Sequence, residues 1–162
     1  MSFNFVKLSK PDLVLIEKWL SKPHVAMWFE DKELWLDEIS TNLDSDWVWH
    51  FRADLYSKPV GFAQCYDTSK SPQGPWSSQP PATLGIDYFL GETSLLGKGN
   101  GKKLVNDFIE FIKMHFRTKR LIVDPDEENI RSNLIIKKCG FQFDRESGLF
   151  INELIKSPNK SN

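Results

Sequence analysis

The stretch Leu95-Leu96-Gly97-Lys98-Gly99-Asn100-Gly101-Lys102-Lys103-Leu104 constrains this chain more than any other. Glycines alternate with polar residues and run directly into an amphipathic pattern of helical period, in which Leu104, Val105, Phe108, Ile109, Phe111, Ile112 and Phe116 form a broad apolar face. A backbone without Cβ atoms can approach a ligand closely. The helix behind it begins with N–H groups that no intrahelical carbonyl satisfies, at the positive end of its dipole. Together these favour an anion, most often phosphate or pyrophosphate. A glycine loop that merely caps a helix has the same local pattern, so the flanking sequence has to decide.

Two phosphate motifs are excluded by the residues themselves. A P-loop needs Ser or Thr after its Gly-Lys pair, and Lys103 stands there; it needs a first glycine where Leu96 stands. A dinucleotide fingerprint needs a glycine where Lys102 stands, near the start of a βαβ unit rather than late in the chain.

Length and composition bound the remaining possibilities. The 162 residues suit one sizeable core, and 40% apolar with 27% charged residues is a folded rather than a disordered composition. A net charge of −1 gives no general field for nucleic acid or for an anionic membrane. No apolar run reaches the ~20 residues of a membrane span. The N-terminal residues Met1 to Lys7 lack the pattern of a signal peptide. Cys65 and Cys139 are far apart, and His24, His50 and His115 form no ligand-spaced pair, so no metal and a reducing cytoplasmic setting are expected.

The periodicities predict strands over Phe3–Leu8, Trp47–Arg52, Val60–Tyr66, Thr83–Leu90, Arg120–Val123, Phe141–Asp144 and Leu149–Ile155. They predict helices over Pro11–Leu20, Lys32–Leu43, Lys102–Phe116 and Asn129–Cys139. Ser57-Lys58-Pro59 reads as a turn. Thr68 to Pro81, with four prolines, Gly74 and Trp76, reads as a long loop of the kind that is often functional.

Several segments together resemble the acetyl-coenzyme A core of the GCN5-related N-acetyltransferases, the GNAT superfamily. They are Gly85-Ile86-Asp87, the glycine loop, Asp124-Pro125, Asn129-Ile130-Arg131 and the closing Lys138-Cys139-Gly140-Phe141. Within that superfamily the chain is similar to bacterial aminoglycoside 6′-N-acetyltransferases, through Glu17-Lys18-Trp19-Leu20, His24-Val25 with Trp28-Phe29, and Val60-Gly61-Phe62-Ala63-Gln64. The resemblance implies a mixed α/β fold with one central mixed sheet flanked by helices on both faces. It implies an acetyltransferase domain over residues 1–155, with 156–162 as a frayed tail. It implies acetyl-coenzyme A as the cofactor and a small-molecule primary amine as the acceptor. The oligomeric state stays open.

The same resemblance assigns site residues. Tyr88, Phe89, Leu90, Leu96, Gly97, Lys98, Gly99, Asn100, Gly101, Lys102 and Asn129 would hold the coenzyme. Asp87 would be the base: an acid inside an apolar strand is costly to bury and acquires a raised pKa, which suits proton abstraction. Trp28, Phe29, Gln73, Trp76 and Asp124 would face the acceptor. Trp28 and Phe29 also suit a hydrophobic plug, Asp124 a turn before proline, and Asn129 a helix N-cap. The basic trio Lys98, Lys102 and Lys103 falls on the expected phosphate site.

Two departures from the family pattern bear on the chemistry. The superfamily usually has a tyrosine where this chain has Ile136, so Tyr88 or water would have to protonate the departing thiolate. The aminoglycoside enzymes carry acids in the loop where this chain has Gln73 and prolines. A hydroxylamine or siderophore precursor, a protein N-terminus, and a non-catalytic acyl-coenzyme A binding module therefore remain as alternatives.

Overall fold

A computed structural model describes residues 1–154. The expected tail at 156–162, and Ile155 at the end of the last predicted strand, lie outside the described residues. The strands are β1 (Asn4–Lys7), β2 (Val48–Leu55), β3 (Lys58–Asp67), β4 (Thr83–Leu90), β5 (Arg120–Val123), β6 (Gln142–Asp144) and β7 (Leu149–Glu153). The helices are α1 (Leu13–Leu20), α2 (Pro23–Ala26), α3 (Lys32–Thr41), α4 (Asn100–His115) and α5 (Ile130–Lys138). The strands form one seven-stranded sheet in the order β1-β2-β3-β4-β5-β7-β6. Among the described residues only β4 and β5 run parallel.

Side chains alternate across the sheet, and each face carries its own helices. On one face Phe62 and Phe89 pack with Ile16, Trp19 and Leu20 of α1, Val25 of α2 and Ile39 of α3. On the other, Phe51, Ala63, Cys65, Leu84 and Ile86 pack with Val105, Phe108, Ile109 and Ile112 of α4 and Ile136 of α5. The even spacing of apolar residues on β3 and β4 and the 3.6-residue spacing on α4 thus converge on the same core.

The feature that positions the site is a splay in the sheet. β4 pairs with β3 as far as Leu90, but with β5 only over Thr83–Gly85 against Arg120–Ile122. Pro125, which has no N–H, follows β5 closely and cannot extend the ladder. Among the described residues, the β5-facing edge of Ile86–Leu90 has no strand partner.

One turn differs from the sequence expectation. The β2–β3 hairpin turns at Tyr56-Ser57, with φ of 49° and 63°, rather than at Ser57-Lys58-Pro59. Two successive left-handed residues give the turn that matches strand twist, but they are ordinarily Gly, Asn or Asp. Tyr and Ser carry no such signal. The shift in register between Ala53 and Asp54 admits Pro59 into β3.

Candidate active site

A cleft of about 590 Å³ opens where β4 and β5 part. Its walls come from the end of β4, the glycine loop, the start of α4, α5 and the segment around α2. Gly97 and Gly99 adopt φ of 72° and 79°, and a Cβ built on either meets nothing within 4 Å. These two positions are therefore left-handed turns beside open space, where a side chain is both strained and in the way of any ligand. Among the described residues, no carbonyl or side chain accepts from the N–H groups of Gly97 to Lys102. They form a run of free donors at the α4 N-terminus.

The other residues of the loop divide by role. Gly101 lines the cleft, but its absent Cβ would meet Ile135 Cδ1 at 2.8 Å. It lets α4 and α5 approach. Asn100 is buried, and its side-chain Nδ2 donates to Leu95 O at 2.9 Å, which closes the loop on itself. Leu96 lines the cleft, and Lys98 is exposed outside it. The basic trio read from the sequence does not act together: Lys103 is turned along α4 onto Asp107, at 3.1 Å from both carboxylate oxygens. Lys102 lines the cleft, and its basic companions are Arg131 and Lys138 of α5. Their spacing of seven residues puts both on one face of the helix, a signal the sequence carried but the motif did not.

Tyr88, Phe89 and Leu90 all reach the cleft because the edge of β4 is uncovered there. Tyr88 points to the α4–α5 side, where Oη and Ser132 Oγ lie 2.9 Å apart. Burial pushes the phenol up to about 12, against the weaker opposing effect of Ser132, so it stays protonated at neutral pH. Asn129 caps α5 by accepting from Ser132 N at 3.2 Å, and it also borders the cleft. His24 Nε2 lies 2.9 Å from Leu90 O and holds α2 to the end of β4. Trp28 and Phe29 border the cleft, and Phe29 also plugs the core edge-on against Trp35 and Phe89, with centroids 5.1 Å apart in each case.

Asp87 and Asp124 do not line this cleft. Asp87 lies on the opposite face of β4 from Tyr88, partly buried, and Oδ2 accepts from Gln64 Nε2 at 2.8 Å. Asp124 stands two residues beyond Ile122, the partner of Gly85, so both acids fall on the same face at the splay. Burial, with further help from Asp124 and from Glu38 of α3, raises the Asp87 pKa from 3.8 to about 6, against the Gln64 hydrogen bond. Desolvation also raises Asp124.

Tyr66 completes this second half of the site. Its ring lies on Gly85, where a Cβ would come within 2.0 Å of Cζ. Burial, then Asp87, then Asp124 raise its phenol. Trp76 from the long loop packs edge-on against Tyr66 at 5.8 Å and donates from Nε1 to Pro72 O at 3.1 Å. Gln73 is exposed in that loop and does not line the cleft. The arrangement is bipartite: a cleft with free amides and cations on one side of β4, and clustered carboxylates with aromatic rings on the other.

A family model described as an acetyltransferase (GNAT) domain matches residues 9–149. The chain belongs to that family. It is an acetyl-coenzyme A-dependent N-acetyltransferase. It is 29% identical over 143 residues to the aminoglycoside N(6′)-acetyltransferase type 1 of Klebsiella pneumoniae, covering 83% of this chain and 71% of the relative. A shorter similarity, 36% over 62 residues, joins it to a kanamycin resistance protein of Rhizobium radiobacter, over 38% of this chain and 57% of the relative. Its structure is similar to that of the aminoglycoside acetyltransferase AAC(6′)-Ib solved with paromomycin and acetyl-coenzyme A. The TM-score is 0.84 and the identity 26%, over 95% of this chain and 94% of the other.

The residues present fit acetyl-coenzyme A. The open space beside Gly97 and Gly99, the unpaired amides and the cations Lys102, Arg131 and Lys138 suit its phosphates. Ile136, at the family's tyrosine position, is 0% exposed in the core with α4 and does not line the cleft. The sequence alone assigns no site role to Arg131, Ser132, Lys138, Glu38, Gln64 or Tyr66. Glu38 lies on the exposed side of α3, whose Ile39 faces the core, and nothing in its local sequence marks it.

Proposed function

We propose that this acetyltransferase acts on a primary amine of a polycationic aminosugar, an aminoglycoside-like acceptor. The observation that carries this reading is the convergence of Asp87, Asp124 and Glu38 beside Tyr66 and Trp76. Several carboxylates are what a polycation needs, and aromatic faces suit sugar rings and cations. Glu38 of α3, whose charge acts on Asp87, would supply an acid that the loop at Gln73 lacks. The neighbours solved with aminoglycosides support the same acceptor class.

In this reading the coenzyme supplies an activated acetyl thioester. The amides of Gly97 to Lys102, with the side chains of Lys102, Arg131 and Lys138, would hold its phosphates, and Leu96, Asn129, Phe89 and Leu90 border the rest. Asp87 takes the proton from the acceptor ammonium at its free oxygen, Oδ1. Asp124 and Glu38 bind further positive charges of the acceptor. Tyr88 Oη, kept protonated by burial and oriented by Ser132, supplies a proton on the coenzyme side.

The test is a thiol-release assay over an amine panel: kanamycin-type aminoglycosides, simple diamines, hydroxylamines and N-terminal peptides. Turnover highest with aminoglycosides is expected. Turnover confined to peptides or hydroxylamines refutes the acceptor class.

A further inference from the structure

His50, Gln64 and Asp87 are successive cross-strand partners on β2, β3 and β4, so they form one row on the face covered by α1–α3. Gln64 is 7% exposed and His50 6%. A buried amide and a buried imidazole in an apolar layer are costly unless their polar atoms are used. Gln64 uses one end, donating Nε2 to Asp87 Oδ2 at 2.8 Å. It is the one side chain that donates to this carboxylate among the described residues.

The orientation of the Gln64 amide follows from chemistry. An ionised carboxylate only accepts, so the amide nitrogen must face Asp87 and the amide oxygen is left for the other neighbour. That neighbour is His50. Among the described residues neither of its buried ring nitrogens has a hydrogen-bond partner, and its ring stacks on Phe62 at 6.0 Å. Burial lowers its pKa to about 4, with Gln64 acting in the opposite direction, so it is neutral and keeps one N–H to offer an acceptor.

We infer that Gln64, backed by His50, is a positioning residue that holds the Asp87 carboxylate ionised and fixes which of its oxygens faces the acceptor. Asp87 needs such a device, because every other influence on it favours protonation: burial, Asp124 beyond β5 and Glu38 on α3. Tyr66, its other polar neighbour on β3, feels its charge without bonding to it. With Oδ2 tied to Gln64, Oδ1 alone remains for an ammonium. The inference rests on Asp87 as the base, but its ionisation can be read independently.

The experiment titrates the Asp87 carboxyl by carbon NMR in the full chain labelled with ¹³C-aspartate, its signal assigned by its loss in Asp87→Asn. Gln64→Met keeps the length and removes the donor. The midpoint should rise by about one pH unit or more, as expected for a lost charge-stabilising hydrogen bond. The rising limb of kcat/KM should move with it, while KM for acetyl-coenzyme A stays unchanged. His50→Phe should shift the midpoint in the same direction by less. Gln64→Asn, which withdraws the amide by one methylene, serves if Gln64→Met does not fold. An unmoved midpoint in a folded Gln64 variant overturns the inference. A midpoint that moves without the rate profile leaves Gln64 as the positioning residue of the carboxylate and refutes instead the reading of Asp87 as the base.

Discussion

Tyr88 on β4 and Ser132 on α5 bring their hydroxyl oxygens to 2.9 Å, and this contact spans the gap where β4 and β5 have parted. Ser132 stands one helical turn before Ile136, so the two project from the same side of α5. The core takes Ile136, and the hydroxyl pair takes the edge of the cleft. In the proposed mechanism, Tyr88 on the facing strand takes the polar function that the family pattern assigns to position 136.

Tyr88→Phe should lower kcat about 10²-fold, the low end of general acid–base effects, with coenzyme affinity near wild type. Single-turnover kinetics and calorimetric coenzyme binding, measured together, check this. Wild-type turnover in the variant shows that water supplies the proton.

Ile136→Tyr should not restore a catalytic tyrosine. The site is fully buried among Phe108, Ile112 and Phe141. A larger ring overpacks it, at a cost of about 1–3 kcal/mol. Denaturant melts of the variant test this, and unchanged stability with faster turnover refutes it.

The glycines of the loop should separate by role. Gly99→Val places a branched side chain at φ 79° in the open space expected for phosphate. At a ligand concentration about 100 times the wild-type Kd, the stabilisation of roughly 2.7 kcal/mol should vanish in this variant. Gly101→Ala meets only the flexible end of Ile135, at 2.8 Å. It should keep coenzyme binding and lose a little stability. Equal loss of binding in both refutes the division.

The carboxylates should sort acceptors by charge. Glu38→Gln and Asp124→Asn should each raise KM for an aminoglycoside several-fold and leave KM for a monoamine nearly unchanged, because partly exposed charge pairs are worth about 1 kcal/mol or less. A uniform effect across both acceptors assigns these acids to the fold.

Much of this was legible in the chain. β4 and β5 have the boundaries that their apolar runs predict, because both are buried strands with clear stops. The glycine loop was readable because left-handed φ at Gly97 and Gly99 demands glycine. What escaped depended on pairing across the sequence. Gln64 meets Asp87 only through the β3–β4 register, and Tyr66 meets Gly85 by the same register. Lys103 looked like a phosphate ligand until Asp107, four residues on, claimed it. The Tyr56-Ser57 turn was hidden because its conformation is imposed by the flanking strands rather than by its own residues.

Asp87→Asn should trade activity for stability. If Asp87 is the base, turnover falls roughly 10²–10⁴-fold while coenzyme affinity holds, since the acid lies on the other face of β4 from the cleft. The stability effect follows from the raised pKa, from 3.8 to about 6 in the folded chain. Between those values the folded protein binds more protons than the unfolded one, so its stability falls as pH rises from about 4 to about 6, then levels. The amide removes this loss and still accepts from Gln64. Melts at pH 7.5 should therefore show Asp87→Asn more stable than wild type by about 1–3 kcal/mol, from about 1.4 kcal/mol per pKa unit. The gain should shrink toward zero at pH 4, where the wild-type carboxyl is protonated. A gain that is the same at both pH values, or a destabilised variant at pH 7.5, refutes the raised pKa, and with it the argument that Asp87 is held ready to accept a proton near neutrality.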